Sequence, residues 1–295
     1  MMLSTKSETK PKFNWRFEAL GTYWEISSDR ELLPSLCAAI TYAVDSFDKT
    51  YSRFRSDSLV SSAALKGGAF SIPKEDETLF EFYEKLYVLT EGKVTPLVGD
   101  TLEAAGYDAQ YSLKPQLEPA KVPRYEDVVQ RSGADFELSK PVMIDIGAAG
   151  KGYLVDRVVD TMLQAGHVNF IVDASGDMRV VGDRLEAVGL EDPRSTSMVV
   201  GAIELKDQAL CASASNRRAW GDWHHVIDPS TSLPTKEVIA TWVIADSAML
   251  ADGLATALFF TAPKTLAATY NYEYLRMHAN GSIEYSEYFA KGVFK

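Results

Sequence analysis

Asp252 and Thr256 stand four residues apart in the run Met249-Leu-Ala-Asp-Gly-Leu-Ala-Thr-Ala-Leu-Phe-Phe260. On a helix this spacing puts both oxygen-bearing side chains on one face, one turn apart. Their neighbours are Ala, Leu and Phe, so the pair falls in an apolar element. A buried carboxylate needs a cation, hydrogen bonds or a helix N-terminus to compensate it. A hard cation such as Mg²⁺ or Ca²⁺ takes oxygen ligands of this kind. The same spacing also suits a structural pair, with Asp252 capping the helix and Thr256 bonding back to a carbonyl one turn earlier.

Three other stretches carry polar groups that suit an anionic ligand. Asp145-Ile-Gly-Ala-Ala-Gly-Lys-Gly152 reads as a strand, a glycine turn and a helix start. Such a junction offers backbone N–H groups and a helix dipole to an anion, and Lys151 adds a point charge; tight packing alone is the other use of such a turn. It is not a P-loop, because Gly152 follows Lys151 where that motif needs Ser or Thr, and it lacks GxGxxG. Trp223-His-His-Val-Ile-Asp-Pro229 holds two of the chain's four histidines. His225 is a candidate acid, base or phosphate contact near neutral pH, or a structural histidine. The pair is isolated from Cys and further His, which argues against zinc. Ser52-Arg-Phe-Arg-Ser-Asp-Ser58 suits a phosphate or ring contact, or a solvated loop. No GxSxG is present, so a serine-hydrolase elbow is not supported.

The elements that must position these residues follow from periodicity. Phe13 to Ser27 reads as strand, Gly-Thr turn, strand. Leu32 to Tyr51 and Glu75 to Thr90 show helical faces, the second closed by Gly92. Thr95 to Tyr107 reads as a loop into a short helix, and Tyr107 to Arg131 as an excursion. Val142–Ile146 is expected to be a strand, Tyr153–Ala165 a helix and His167–Asp173 a strand. Ser175-Gly-Asp177 is a turn, with short strands to Leu205. Ala209 to Pro234 reads as loop-rich, Val238–Ala245 as strand, Met249–Thr261 as helix, and Tyr274–Tyr285 as a hairpin around Asn280-Gly281. Helices and strands mix without a regular βαβ rhythm, so the expected class is α+β, a two-lobed architecture with mixed sheets and flanking helices. Residues 1–12 read as a flexible N-terminal tail and 13–295 as a single domain.

The chain has 295 residues, 46% hydrophobic and 24% charged, with a formal net charge of -11. Its Lys and Arg are spread along the chain, so no basic patch marks a nucleic-acid partner. A phosphate site must be built locally, from a metal, backbone N–H groups or a few cations. Cys37 and Cys211 lie far apart, which excludes a disulfide framework and fits a cytoplasmic setting. No apolar signal core, early lipid-attachment Cys or membrane-length apolar stretch is present, so no membrane anchor is expected.

In order, these motifs resemble the ApbE family, the FAD:protein FMN transferases. The landmarks are Gly21-Thr22, Ser52–Ser58, Thr95-Pro96 with Gly99, Asp145–Tyr153 with Asp156, Ser175-Gly-Asp177, His225-Val-Ile-Asp-Pro229 and Ala251-Asp-Gly-Leu-Ala-Thr-Ala257. The resemblance implies a T-fold-like architecture binding FAD and Mg²⁺ between its lobes. It implies transfer of FMN from FAD to a Ser or Thr of an acceptor protein, with release of AMP. By position, the metal ligands would be the Ala148 carbonyl, Asp252 and Thr256. FAD would contact Gly21, Thr22, Arg53, Phe54, Ser58, Thr95, Ala148, Lys151, Ser213 and Asn216. His225 matches the family's catalytic or phosphate-contacting histidine, and His225 or Asp252 is the candidate base. The chain departs from the family pattern at Thr95, Ser175, Ala214 and Ser232. The last three stand where the family has glycine, so those loops are expected to follow a different path. A metal-dependent FAD pyrophosphatase yielding FMN and AMP, and a non-catalytic FAD-binding protein, are the alternative functions.

Overall fold

The computed structural model describes residues 12–116 and 120–294. Most of the expected 1–12 tail therefore lies outside the described residues, as does 117–119 of the Tyr107–Arg131 excursion. Two strands, Phe13–Ala19 and Thr22–Ser28, form the opening hairpin, and its two-residue turn puts Leu20 at φ 52 and Gly21 at φ 69. Positive φ at both turn positions matches the twist of the flanking strands.

This hairpin begins an eight-stranded sheet. In spatial order the other strands are Phe170–Asp173, Met178–Val181, Ala209–Ala214, Val238–Ala245, Glu273–His278 and Ile283–Tyr285. Every pairing is antiparallel. Successive residues of a strand face opposite sides, and here both sides are apolar. Val172, Cys211 and Val243 join the core packed by the long helices. Ile171, Leu210, Trp242 and Ile244 join a second core with Leu190, Ile203 and Leu205 of the hairpin arm Leu185–Asp192/Ser195–Lys206. The sheet is thus sandwiched, with helices on one face and the arm on the other.

The helical layer follows from its apolar spacing. The Pro34–Tyr51 helix starts with Pro34 in its first turn and buries Leu36, Ile40, Val44, Phe47 and Tyr51. The Glu77–Leu89 helix buries Leu79, Phe80, Phe82, Tyr83 and Leu86. Gly92, at φ 83, closes it by donating its N–H to Tyr87 O at 2.7 Å. The helices Gly150–Gln164 and Ala248–Ala257 pack on each other where it matters most for function. Asp156 of the first accepts from Ala248 N and Met249 N of the second, each at 2.8 Å, while Ser247 caps the same end through Leu250 N. At the crossing, a Cβ on Gly152 would stand 2.2 Å from Ala248 O.

Two expected elements differ. Val142–Ile146 is extended but pairs in no sheet; it is held by Asp145 N donating to Pro96 O at 2.8 Å and by burial of Val142 and Ile144. Apolar alternation reports burial on one face, not the presence of a partner strand. Ala209–Ala214, read as loop, is a strand inside the sheet. Its small side chains lack the β-branched signature, and tertiary pairing overrides propensity. A small sheet of Gly68–Ser71, Val129–Ser132 and Asp135–Leu138 carried no expectation.

Gly152→Ala should destabilise the fold by about 1–3 kcal/mol, since the added methyl meets backbone rather than a movable side chain. Urea unfolding midpoints would measure it; a change near zero refutes the close crossing.

Candidate active site

The crossing of these two helices forms the floor of a cleft of about 950 Å³. The opening hairpin turn, the end of the Pro34–Tyr51 helix, the turn before Gly150, the Ser175–Asp177 turn, the tip of the hairpin arm and the segment after Ala212 converge on it. A second cavity of about 620 Å³, beside Arg30 and His167, contains none of the expected residues.

Asp252 is buried mid-helix, and its Oδ2 accepts from Gly152 N at 2.9 Å. Thr256 Oγ1 donates to the Ala148 carbonyl at 3.3 Å. Neither residue caps its own helix, which Ser247 does: Asp252 accepts a first-turn amide of the Gly150–Gln164 helix, and Thr256 bonds across to another segment rather than to its own preceding turn. Carboxylate, hydroxyl and carbonyl oxygens belong to one locus.

The Gly147–Gly150 turn does not offer its amides to an anion as the sequence suggested. Gly147 N donates to Asp145 Oδ1 at 2.8 Å and Gly150 N to Ile146 O at 2.8 Å. Ala148 N and Ala149 N both donate to the Tyr83 hydroxyl oxygen, at 3.1 and 3.2 Å. With its N–H groups satisfied internally, the turn contributes an acceptor, the Ala148 carbonyl. Tyr83 had no signal in the sequence, because it sits within an apolar helical face.

Charge on the floor is unbalanced. Lys151 Nζ lies 2.6 Å from Asp177 Oδ2 and donates to Ala174 O at 2.9 Å. Asp177 is buried, and its Oδ1 has no hydrogen-bond partner among the described residues. Burial and then the neighbouring Asp177 raise the Asp252 pKa well above the usual carboxylate range. Burial disfavours the Lys151 ammonium, yet Asp177 and Asp252 together hold its pKa above normal. Two buried carboxylates thus share one cation. Among the described residues no group of three or more His, Cys, Asp or Glu could hold a metal. The donor set is instead one hydroxyl, one carbonyl and one carboxyl group that needs a further cation to stay ionised. That set fits a hard divalent ion completing its shell with water and ligand phosphate.

Gly21, Thr22, Arg53, Phe54, Thr95, Ala148, Lys151, Ser213, Asn216 and His225 all line the same cleft. Ser58 does not: it is fully buried and caps the Leu59–Lys66 helix by accepting from Ser61 N at 3.1 Å. Serine ahead of an apolar run is a capping signal that its neighbours' polarity masked. Arg53 is buried as well, bonded to Asp145 Oδ2 and Tyr107 O, each at 2.6 Å, with its guanidinium 4.1 Å from the Phe54 ring centroid. Phe54 stacks on Tyr111 and Tyr107 on Trp220, making an aromatic wall that the sequence reading missed. Thr95 accepts from Leu97 N at 3.3 Å, and Asn216 Oδ1 is buried without a partner among the described residues. Ser175 and Ser232 adopt φ 55 and 57, the left-handed conformation that glycine favours, whereas Ala214 pairs with Ala240 inside the sheet.

His224 turns away, its Nε2 meeting Thr235 O at 2.8 Å. His225 lines the cleft, and its buried Nδ1 has no hydrogen-bond partner among the described residues. Burial and then the Arg218 cation lower its pKa to about 3, so the free imidazole is neutral near pH 7 rather than poised to titrate there.

The fold and cleft define an α+β protein with a nucleotide-sized pocket over an oxygen-rich, acidic floor. The ApbE family profile matches residues 20–278, and the chain belongs to that family. It is 28% identical over 215 residues to the FAD:protein FMN transferase of Rhodobacter capsulatus, covering 68% of this chain and 41% of that protein. It is also 28% identical over 202 residues to the Haemophilus influenzae FAD:protein FMN transferase, covering 59% of this chain and 57% of the relative. The matches thus span less than two thirds of either relative. The ApbE protein of Thermotoga maritima superposes with a TM-score of 0.78 at 26% identity, over 96% of this chain and 99% of its own. The Vibrio cholerae flavin transferase ApbE shares the fold, with a TM-score of 0.76 at 22% identity over 95% and 98% of the two chains.

Tyr83→Phe should cost about 1–3 kcal/mol, because two amides lose their acceptor. Hydrogen exchange at Ala148 and Ala149 should accelerate; unchanged protection contradicts the assignment. Asp156 supplies a pH test. Burial raises its pKa to about 6 despite its two amide donors. A carboxyl raised on folding stabilises fully below its unfolded pKa of about 4. That contribution is lost as the pH rises through about 6. Asp156→Asn should flatten stability across this window in a pH series of denaturation curves; an unaltered slope argues against it.

Proposed function

We propose that this protein is a Mg²⁺-dependent FAD:protein FMN transferase that attaches FMN to a Ser or Thr of an acceptor protein and releases AMP. The observation that carries this reading is the convergence of Asp252, Thr256 and the Ala148 carbonyl on a floor with one cation for two buried carboxylates. The names of the curated relatives support the same activity. Two free cysteines suit a cytoplasmic setting, and among the described residues no helix is long and apolar enough to cross a membrane.

In this mechanism the acceptor hydroxyl oxygen bonds to the FMN phosphorus of FAD, the bond from that phosphorus to the bridging oxygen breaks, and AMP leaves. Mg²⁺ held by the Ala148 carbonyl, Asp252 and Thr256 supplies polarisation of the phosphoryl oxygens and neutralisation of the leaving group. The hydroxyl proton passes to the unpartnered Nδ1 of His225. A neutral imidazole is in the correct state to accept it, and a bound diphosphate raises its basicity by adding negative charge nearby. Asp252, anchored to Gly152 N, is better placed to hold the cation than to move a proton. The aromatic wall of Phe54, Tyr107 and Tyr111 suits a flat ring.

The test is incubation with FAD, Mg²⁺ and candidate acceptor proteins from the same organism. A flavin-fluorescent acceptor band surviving denaturation, with one AMP per label, is expected, and EDTA should abolish it. Asp252→Ala should slow labelling by about 100-fold or more. Free FMN and AMP without any labelled acceptor would assign the cleft to hydrolysis instead, and tight FAD binding without turnover to a binding protein.

A further inference from the structure

We infer that Arg218 is the cation that grips the diphosphate of the ligand in this cleft. The inference deepens the functional reading above and rests on it. A diphosphate brings two or more negative charges to a floor already short of positive charge, so some group must meet them. Six Lys or Arg residues line the cleft: Arg53, Arg55, Lys93, Lys151, Arg217 and Arg218.

Five of these six already pair with carboxylates, with one nitrogen of Arg53, Nη2, left buried and unpartnered among the described residues. Arg53 pairs with Asp145 at 2.6 Å, and Arg55 with Asp48 at 3.1 Å and Asp57 at 2.8 Å. Lys93 pairs with Asp228 at 2.6 Å, Lys151 with Asp177 at 2.6 Å and Arg217 with Glu191 at 3.1 Å. Arg218 alone among them has neither an ion pair nor a side-chain hydrogen bond among the described residues. The turn amides, the other usual partners of a phosphate, are spent on Tyr83, Asp145 and Ile146.

The backbone around Arg218 is fixed while its side chain is left exposed. Arg217 N donates to Ala214 O at 3.3 Å, and Trp220, just beyond, donates its Nε1–H to Ala105 O at 2.8 Å. Arg218 lines the same cleft as His225, Tyr107 and Asp252, which stand on three different segments of the wall and floor. Guanidinium suits a diphosphate, because its planar fork matches two phosphate oxygens and stays charged at every working pH. An unpaired arginine at the cleft wall is free to meet a ligand anion without first breaking an ion pair.

The test compares wild type, Arg218→Ala and Arg218→Lys in full-length protein, titrated with FAD, ADP and riboflavin in the presence of Mg²⁺. Arg218→Ala should weaken FAD and ADP by about 10- to 100-fold. Riboflavin affinity and the melting temperature should not change, and Arg218→Lys should recover part of the loss. The His225 imidazole pKa, followed by NMR without ligand, should rise in Arg218→Ala. Equal FAD and ADP affinity in wild type and Arg218→Ala would overturn the inference. An equal loss for riboflavin would also overturn it, and so would a defect confined to KM for the acceptor protein. Wild type binding ADP but not FAD would defeat the flavin reading and leave Arg218 to be judged on ADP; wild type binding neither would defeat both.

Discussion

The site depends on the close crossing of two helices at Gly152. Only a residue without a Cβ lets the Gly150–Gln164 helix approach the Ala248 carbonyl, and that approach brings Gly152 N to Asp252 Oδ2. Asp252 is thereby held in the interior as a hydrogen-bonded acceptor. Asp156, one turn further along the same helix, binds the opposite helix at its start, so the two contacts together set both the distance and the register of the crossing. The neighbouring turn is fixed from below by Tyr83, whose single oxygen accepts two consecutive amides and leaves the Ala148 carbonyl toward Thr256.

This geometry has an electrostatic consequence. Burying Asp252 and Asp177 around one lysine leaves a local deficit of positive charge, which costs energy in a low-dielectric interior. In the function proposed above, a divalent cation would meet this deficit and, through it, phosphate. Most of the arginine and lysine on the walls does not relieve it, because those side chains already neutralise carboxylates of this acidic chain. Arg53 illustrates the point: it reads as a phosphate ligand in sequence, yet its guanidinium braces Asp145, Tyr107 and Phe54 and so shapes the wall.

The family's architecture persists here at 26% identity to the Thermotoga maritima protein. Two of its turns keep a glycine-like backbone without glycine. Ser175 and Ser232 hold left-handed φ values where the family pattern has glycine. Such strain is tolerated when surrounding contacts over-determine the turn: Gly176 N is held by Asp173 Oδ1 at 2.9 Å, and Ser232 N by Asp228 O at 2.8 Å.

Much of this protein was legible in its residues alone. Apolar periodicity marked the long helices, because burying one face leaves a 3.6-residue trace. The Asp252–Thr256 spacing and the ordered motifs named residues that the fold brings to one cleft, because neighbours on one helix face are near in sequence. What the sequence could not determine was which polar groups remain free. Ser58, Arg53, Lys151 and the turn amides all look available in one dimension. Asp145 reaches Arg53, Asp177 reaches Lys151 and Tyr83 reaches two turn amides from distant segments, while Ser61 and the partners of Gly147 N and Gly150 N lie close by. The same holds for the Ala209–Ala214 strand and the aromatic wall, which exist through pairing and packing rather than local preference. Free valence is a property of the assembled neighbourhood, and only the tertiary structure settles it.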